Sequence, residues 1–150
     1  MTKWIDLSTS LPWAGKPTVR LLPQSAESRL STELSRLGFS VFTLEGKGMR
    51  SERDFFAEVS KAFSFPEYFG NNWAAFHDCY SEFIDQRNGR AVAVIWRNAS
   101  ESLANHLRTF LECAHELLTS AFNARIQLPD DEAPPVQVEV FFLGSGKGFE

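Results

Sequence analysis

The sequence predicts an α/β fold: a small, mainly parallel sheet of three core strands packed with helices, with room for a fourth strand from the N-terminal 38 residues. Three observations carry this reading. Short apolar runs at 39–45, 91–96 and 136–143 alternate with stretches whose apolar residues recur at helical spacing. Each intervening stretch is long enough to hold a helix, as a crossover between parallel neighbours requires. Finally, a chain of 150 residues that is 43% hydrophobic and contains 14 Phe is too apolar for disorder and suits a single packed domain.

The elements follow in order. Residues 1–18 are loose in composition, and the apolar run Val19 to Leu22 precedes a candidate helix opened by Ser25. In that helix Leu30, Leu34 and Leu37 recur at helical spacing before Gly38 ends it. Residues 39–45 read as a strand. Ser51 caps a second helix with the stripe Phe55, Phe56, Val59 and Phe63, which stops before Pro66 because proline disfavours helical geometry at Phe65. Asn72 caps a third helix of about a dozen residues. Ala91 to Trp96 has the unbroken apolar character of a central strand, with Trp96 in the core and Arg97 as a structural partner at its end. Asn98 with Glu101 forms a capping-box pattern for the longest helix, lined on one face by Leu103, Leu107, Phe110, Leu111, Ala114, Leu117, Leu118 and Phe122. After the PDDEAPP stretch at 129–135, Val136 to Leu143 is the last strand, and 144–150 reads as a flexible tail.

Composition excludes several classes. Nineteen acids against 15 bases give a net charge of −4, and phosphate neutralisation needs a basic face, so direct nucleic-acid binding is not expected. No run approaches the roughly 20 apolar residues of a membrane span, and residues 1–17 lack a signal peptide's apolar stretch, which places the chain in the cytoplasm. Cys79 and Cys113, with 33 residues between them, offer no disulfide framework and no CxxC pattern; both are expected to be reduced and buried.

The charge is concentrated. Residues 66–86 contain Glu67, Asp78, Glu82 and Asp85 and no Lys or Arg, so the remaining 15 acids balance the 15 bases and the whole net charge resides in this segment. On a helix, Trp73, Phe76, Tyr80, Phe83 and Ile84 gather on one side and Ala74, Asp78, Ser81, Glu82 and Asp85 on the other. A stripe of one sign raises the local concentration of a cationic partner. The plain alternative is an ordinary solvated helix face.

The run Pro66, Glu67, Tyr68, an aromatic, Gly70, any residue, Asn72, followed by Asp78 and Cys79 within FSFPEYFGNNWAAFHDCYSEF, resembles the barstar family of ribonuclease inhibitors and immunity proteins. Trp96 with Arg97, and Leu107, Phe110 and Glu112, extend the similarity over about residues 39–143 and leave 1–38 outside as an extension. The resemblance implies an inhibitor rather than an enzyme, needing no cofactor and no metal. It would be a monomer forming a 1:1 complex with a cognate basic nuclease toxin, an RNase in the family's pattern, whose active site it would occlude with the third helix and the loop before it. Asp78 would enter the cationic pocket where a substrate phosphate sits. Tyr68, Gly70, Asn72, Glu82, Phe83 and Glu112 join it as partner-binding residues. Ala74 stands where a second acid is common and His77 where the type inhibitor has Trp, which points to a toxin with its own basic pocket. Without a nuclease target, the chain would be a barstar-fold interaction or regulatory module. Residue by residue, Tyr68 and Phe83 equally suit a core or hinge, Gly70 a left-handed turn and Asn72 a cap.

Enzyme motifs do not assemble. His77 and Asp78 are adjacent and point about 100° apart on a helix, although His77 and Ser81 can touch. Glu112 and His115 have a di-metal spacing without the second copy that such a site requires, and they fall on a wet stripe with Glu101, Asn105 and Arg108. Gly144, Gly146 and Gly148 precede no helix, and Gly46 and Gly48 lack the third glycine and the lysine of a phosphate loop.

Overall fold

A computed structural model of the chain describes residues 4–16, 19–87, 90–124 and 136–150. The loose stretch expected at 129–135 and the side chain of Phe122 lie outside the described residues. The fold is α/β, and its elements are α1 (Leu7–Ser10), β1 (Arg20–Pro23), α2 (Glu27–Leu37), β2 (Ser40–Glu45), α3 (Glu52–Phe63), α4 (Trp73–Asp85), β3 (Ala91–Arg97), α5 (Leu107–Ala124) and β4 (Gln137–Gly144). The four strands form one sheet in the order β1-β4-β3-β2, parallel throughout. The expected fourth strand is therefore present, as an edge strand that pairs Arg20 to Pro23 with Phe141 to Gly144.

Strand periodicity builds two cores, one on each face of the sheet. Val92, Val94 and Trp96 of β3 and Val138, Val140 and Phe142 of β4 face α3, α4 and α5. Ala91, Ala93, Ile95, Phe141 and Leu143 face the other way, onto α1 and α2. Both faces of β3 and β4 are buried; β3 accordingly reads as a continuous apolar run, while β4 carries the buried polar residues Gln137 and Glu139.

Local signals placed several ends as expected. Gly38 adopts φ 100°, and its N–H satisfies the carbonyls of Leu34 and Ser35 at the end of α2. The Ser51 side chain accepts from the Asp54 N–H at the start of α3, and Phe55, Phe56, Val59 and Phe63 are buried. Trp96 is fully buried, with its indole N–H donating to the Ser102 hydroxyl at 3.1 Å. Arg97 pairs with Glu27 in the first turn of α2 at 2.7 Å.

Four local expectations are corrected. Ser25 does not cap α2; it lies in a 3-10 turn over Gln24–Ala26 that precedes the helix. Asn98 and Glu101 do not start the long helix: Asn98 sits at φ 51° before a 3-10 turn over Ala99–Glu101, and α5 begins at Leu107. Tertiary bonds win here, because the Leu103 N–H donates to the Met49 carbonyl at 2.8 Å and holds Leu103 at φ 54°, buried and outside the helix. Leu107 and Leu111 are consequently 68% and 56% exposed rather than part of the buried stripe. The segment after Gly144 is not a loose tail, since Phe149 packs against the core and Ser145 N–H donates to the Ser100 hydroxyl at 2.9 Å. A Cβ on Gly144 would meet the Phe149 ring at 2.9 Å, so this close approach requires glycine.

Candidate functional site

The loop between α3 and α4 is built from its aromatic residues. α3 ends with Ser64 at φ 55°, and the Phe69 N–H closes a turn onto the Pro66 carbonyl at 2.9 Å. Phe69 turns inward, 8% exposed, against Phe56 and Phe65 at 5.8 and 5.1 Å between ring centroids. Its neighbour Tyr68 is thereby directed outward and is 78% exposed. Burial of one aromatic ring fixes the exposure of the next.

Asn72 ties this loop to α4. Its side-chain oxygen accepts from the Ala75 N–H at 2.8 Å, and its amide nitrogen donates to the Gly70 carbonyl at 3.1 Å. The left-handed residue of the turn is Asn71, at φ 50°, and not Gly70. A Cβ at Gly70 would sit 3.0 Å from the Asn72 amide nitrogen, so a side chain there would have to displace that donor slightly. Trp73 then joins α4 to α3 by donating to Glu52 at 3.1 Å and packing on Phe56 at 4.8 Å.

On α4, Phe76, Tyr80, Phe83 and Ile84 are buried, while Ala74, His77, Asp78, Ser81, Glu82 and Asp85 are exposed. The two expected faces are therefore realised. Among the described residues, the Asp78, Glu82 and Asp85 carboxylates make no hydrogen bond or ion pair with another side chain. Cys79, 7% exposed, lies between the two faces; burial raises its thiol pKa first, and the charges of Glu82 and Asp78 raise it further.

α5 supplies the second wall. His77 Nε2 lies 3.0 Å from a Glu116 carboxylate oxygen, bridging α4 to α5. Glu112 is exposed one turn earlier and pairs with Arg108 at 3.2 Å. Burial pushes the Cys113 thiol up to about 12, aided by the nearby charges of Glu52, Glu112 and Glu116. Glu52 and Glu116 were not singled out from sequence, since their partners Trp73 and His77 lie on another helix.

Phe83 packs into the core at the edge of α4. It is 4% exposed, with its ring 4.7 Å from Phe63 and covered by the Arg87 guanidinium at 3.8 Å. With Tyr68, Glu82 and Arg87 it lines a cleft of about 280 Å³. Arg87 donates to the Phe83 carbonyl at 2.8 Å, a basic group satisfying the end of α4.

α4 is thus an outward acidic helix held by a cap and by aromatic packing on a parallel sheet. A family model described as Barstar (barnase inhibitor) matches residues 39–140, and the chain belongs to that family. The match begins at Phe39, so α1, β1 and α2 precede it. No curated protein matches the chain. Proteins of this family are inhibitors of nucleases rather than enzymes. No helix among the described residues is long and apolar enough to cross a membrane.

Proposed function

We infer that the chain is a cytoplasmic immunity-type inhibitor that binds a basic nuclease toxin, an RNase, as a 1:1 complex and occludes its active site with α4. The observation that carries this reading is Asp78: an exposed carboxylate without a side-chain partner among the described residues, on a helix whose start is fixed before any partner arrives. A carboxylate offers the anionic acceptors of a phosphate but no bond for a nuclease to cleave. Arg and Lys side chains that hold substrate phosphate would meet it through charge-assisted hydrogen bonds. Fixing the loop through Phe69, Gly70 and Asn72 lowers the ordering cost of binding. Tyr68, Glu82 and Glu112 flank the contact, and Ala74 leaves the first turn of the ridge flat and uncharged.

The test is a pull-down from the source cell with this chain as bait, followed by an RNA-cleavage assay on the basic protein recovered. Stoichiometric loss of cleavage is expected. Asp78→Ala should weaken the complex by more than about 2 kcal/mol, a hot-spot threshold from systems that include the barnase–barstar pair itself. Added salt should slow association, since exposed charges act through screened fields. Unchanged affinity for Asp78→Ala defeats the phosphate-mimic reading.

A second reading, an interaction module of this fold without a nuclease target, draws support from Ala74 and from the engagement of Glu116 by His77. Binding that leaves RNA cleavage intact would favour it.

A further inference from the structure

Opposite the Phe83 cleft, the other flank of α4 forms a groove of about 250 Å³ with α5. Its polar lining is His77, Tyr80, Ser81 and Asp85 from α4 with Ser120 and Asn123 from α5, beside an apolar wall from Ile84. Tyr80 is 2% exposed, and its hydroxyl has no hydrogen-bond partner among the described residues. A buried, unsatisfied hydroxyl costs about 1–3 kcal/mol. Phenylalanine would preserve the ring stacking on Phe76 and Phe83, at 5.4 and 6.0 Å, without that cost. Burial raises the phenol pKa, so the hydroxyl stays protonated at neutral pH.

We propose that this groove is a binding site for a guanidinium group, the arginine side chain of a basic partner docked on α4. The proposal rests on the reading that a cationic protein meets this helix. Charge selects the ligand: among the described residues, no Lys or Arg lines the groove and Asp85 has no side-chain partner. Size restricts it to one side chain, since pockets for drug-sized ligands run from about 300 to 1,000 Å³. Donor count separates arginine from lysine. The Tyr80, Ser81 and Ser120 hydroxyls, the Asp85 carboxylate and the Asn123 amide oxygen are all potential acceptors, and a planar guanidinium carries five donors and no acceptor. An ammonium has fewer donors and is more strongly hydrated. His77 closes one end, with its Nε2 already committed to Glu116.

The experiment is a nuclear magnetic resonance titration of the ¹⁵N-labelled full chain with N-acetyl-arginine amide, with N-acetyl-citrulline amide as the uncharged isostere. Saturable shifts are expected at the amides of Ser81, Asp85, Ser120 and Asn123, with the citrulline probe weaker by about tenfold or more, as loss of hydrogen bonds to a charged group implies. Tyr80→Phe should keep the fold, match or exceed the parent in thermal stability, and weaken the arginine probe; Asp85→Asn should also weaken it. The proposal is overturned by shifts that do not saturate, by equal response to both probes, by shifts confined to Asp78 and Glu82, or by undiminished binding to Tyr80→Phe. Because the probe replaces the partner, this outcome is independent of the nuclease assay: either can fail while the other succeeds.

Discussion

The two faces of the sheet are packed differently. The face toward α3, α4 and α5 is aromatic: Phe55 touches Trp73, Phe76 and Trp96 at 5.6 to 6.0 Å, and Phe63 touches Tyr80 and Phe83 at 5.5 and 4.7 Å. The face toward α1 and α2 is largely aliphatic, with Leu7, Leu11, Leu22, Leu30 and Leu34 at its centre. At its edge the aliphatic layer is tied down by polar groups. Arg20 pairs with Glu139 at 3.4 Å with both side chains nearly buried, and it also donates to the Ala14 and Gly15 carbonyls. The Gln137 side chain grips Ile5 from both sides, accepting from its N–H at 2.9 Å and donating to its carbonyl at 2.8 Å. The aromatic face thus positions a surface, while the aliphatic face covers the back of the sheet and closes β4 with an added strand.

Truncations should separate the two. Phe76 is fully buried beneath α4, and Phe76→Ala should cost about 3–5 kcal/mol by urea unfolding. It should also move the amide resonances of residues 72–86, because the ring supports the acidic helix from below. Leu34→Ala, equally buried on the other face, should cost about 2–5 kcal/mol while leaving those resonances in place. If Leu34→Ala perturbs α4 as much as Phe76→Ala does, the two layers are one mechanical unit and the contrast fails.

The buried ion pair gives an effect that its partner can reverse. Arg20→Met takes one cation away from the buried Glu139 carboxylate, which the Gln137 amide also meets, and should cost about 3 kcal/mol, the typical penalty for breaking rather than replacing a buried pair. Adding Glu139→Leu should recover most of the loss, since two apolar groups of similar volume need no partner. A double variant as unstable as the single one would mean that Arg20 matters chiefly through the Ala14 and Gly15 carbonyls. That would make the N-terminal layer a loop clamp rather than a strand-to-strand bond.

Much of this was legible because it is local. Gly38, Ser51 and Asn72 act on their own helix ends, and a run such as Ala91 to Trp96 carries its burial in its composition. The alternation on α4 likewise placed Asp78 outward. What could not be read depended on distant partners. Asn98 and Glu101 have the spacing of a cap, but Gly46 lies so close that a Cβ on it would be 2.6 Å from the Asn98 carbonyl, and Met49 holds the Leu103 N–H. The chain therefore turns before it can become helical. Phe83 has a contact's residue type, yet Arg87, just beyond the acidic segment, lies over it. His77 gave no sign of meeting Glu116, 39 positions further on and on another helix.

The smallest predicted effect bears most directly on how the aromatic face serves the site. Asn72 contributes little buried area, and as a cap its replacement by alanine should cost about 1 kcal/mol in unfolding experiments. It also restrains the Gly70 carbonyl, so the same change frees the turn that sets the direction of Tyr68 and the first turn of α4. Loop freedom in the unbound chain must then be lost on binding, and the affinity for the recovered nuclease should fall by more than the stability does. Asn72→Asp retains a capping oxygen but no donor for Gly70, and it should restore the stability without restoring the affinity. Equal losses in stability and affinity for both variants would reduce Asn72 to a cap, and would leave the orientation of the acidic helix to the aromatic packing alone.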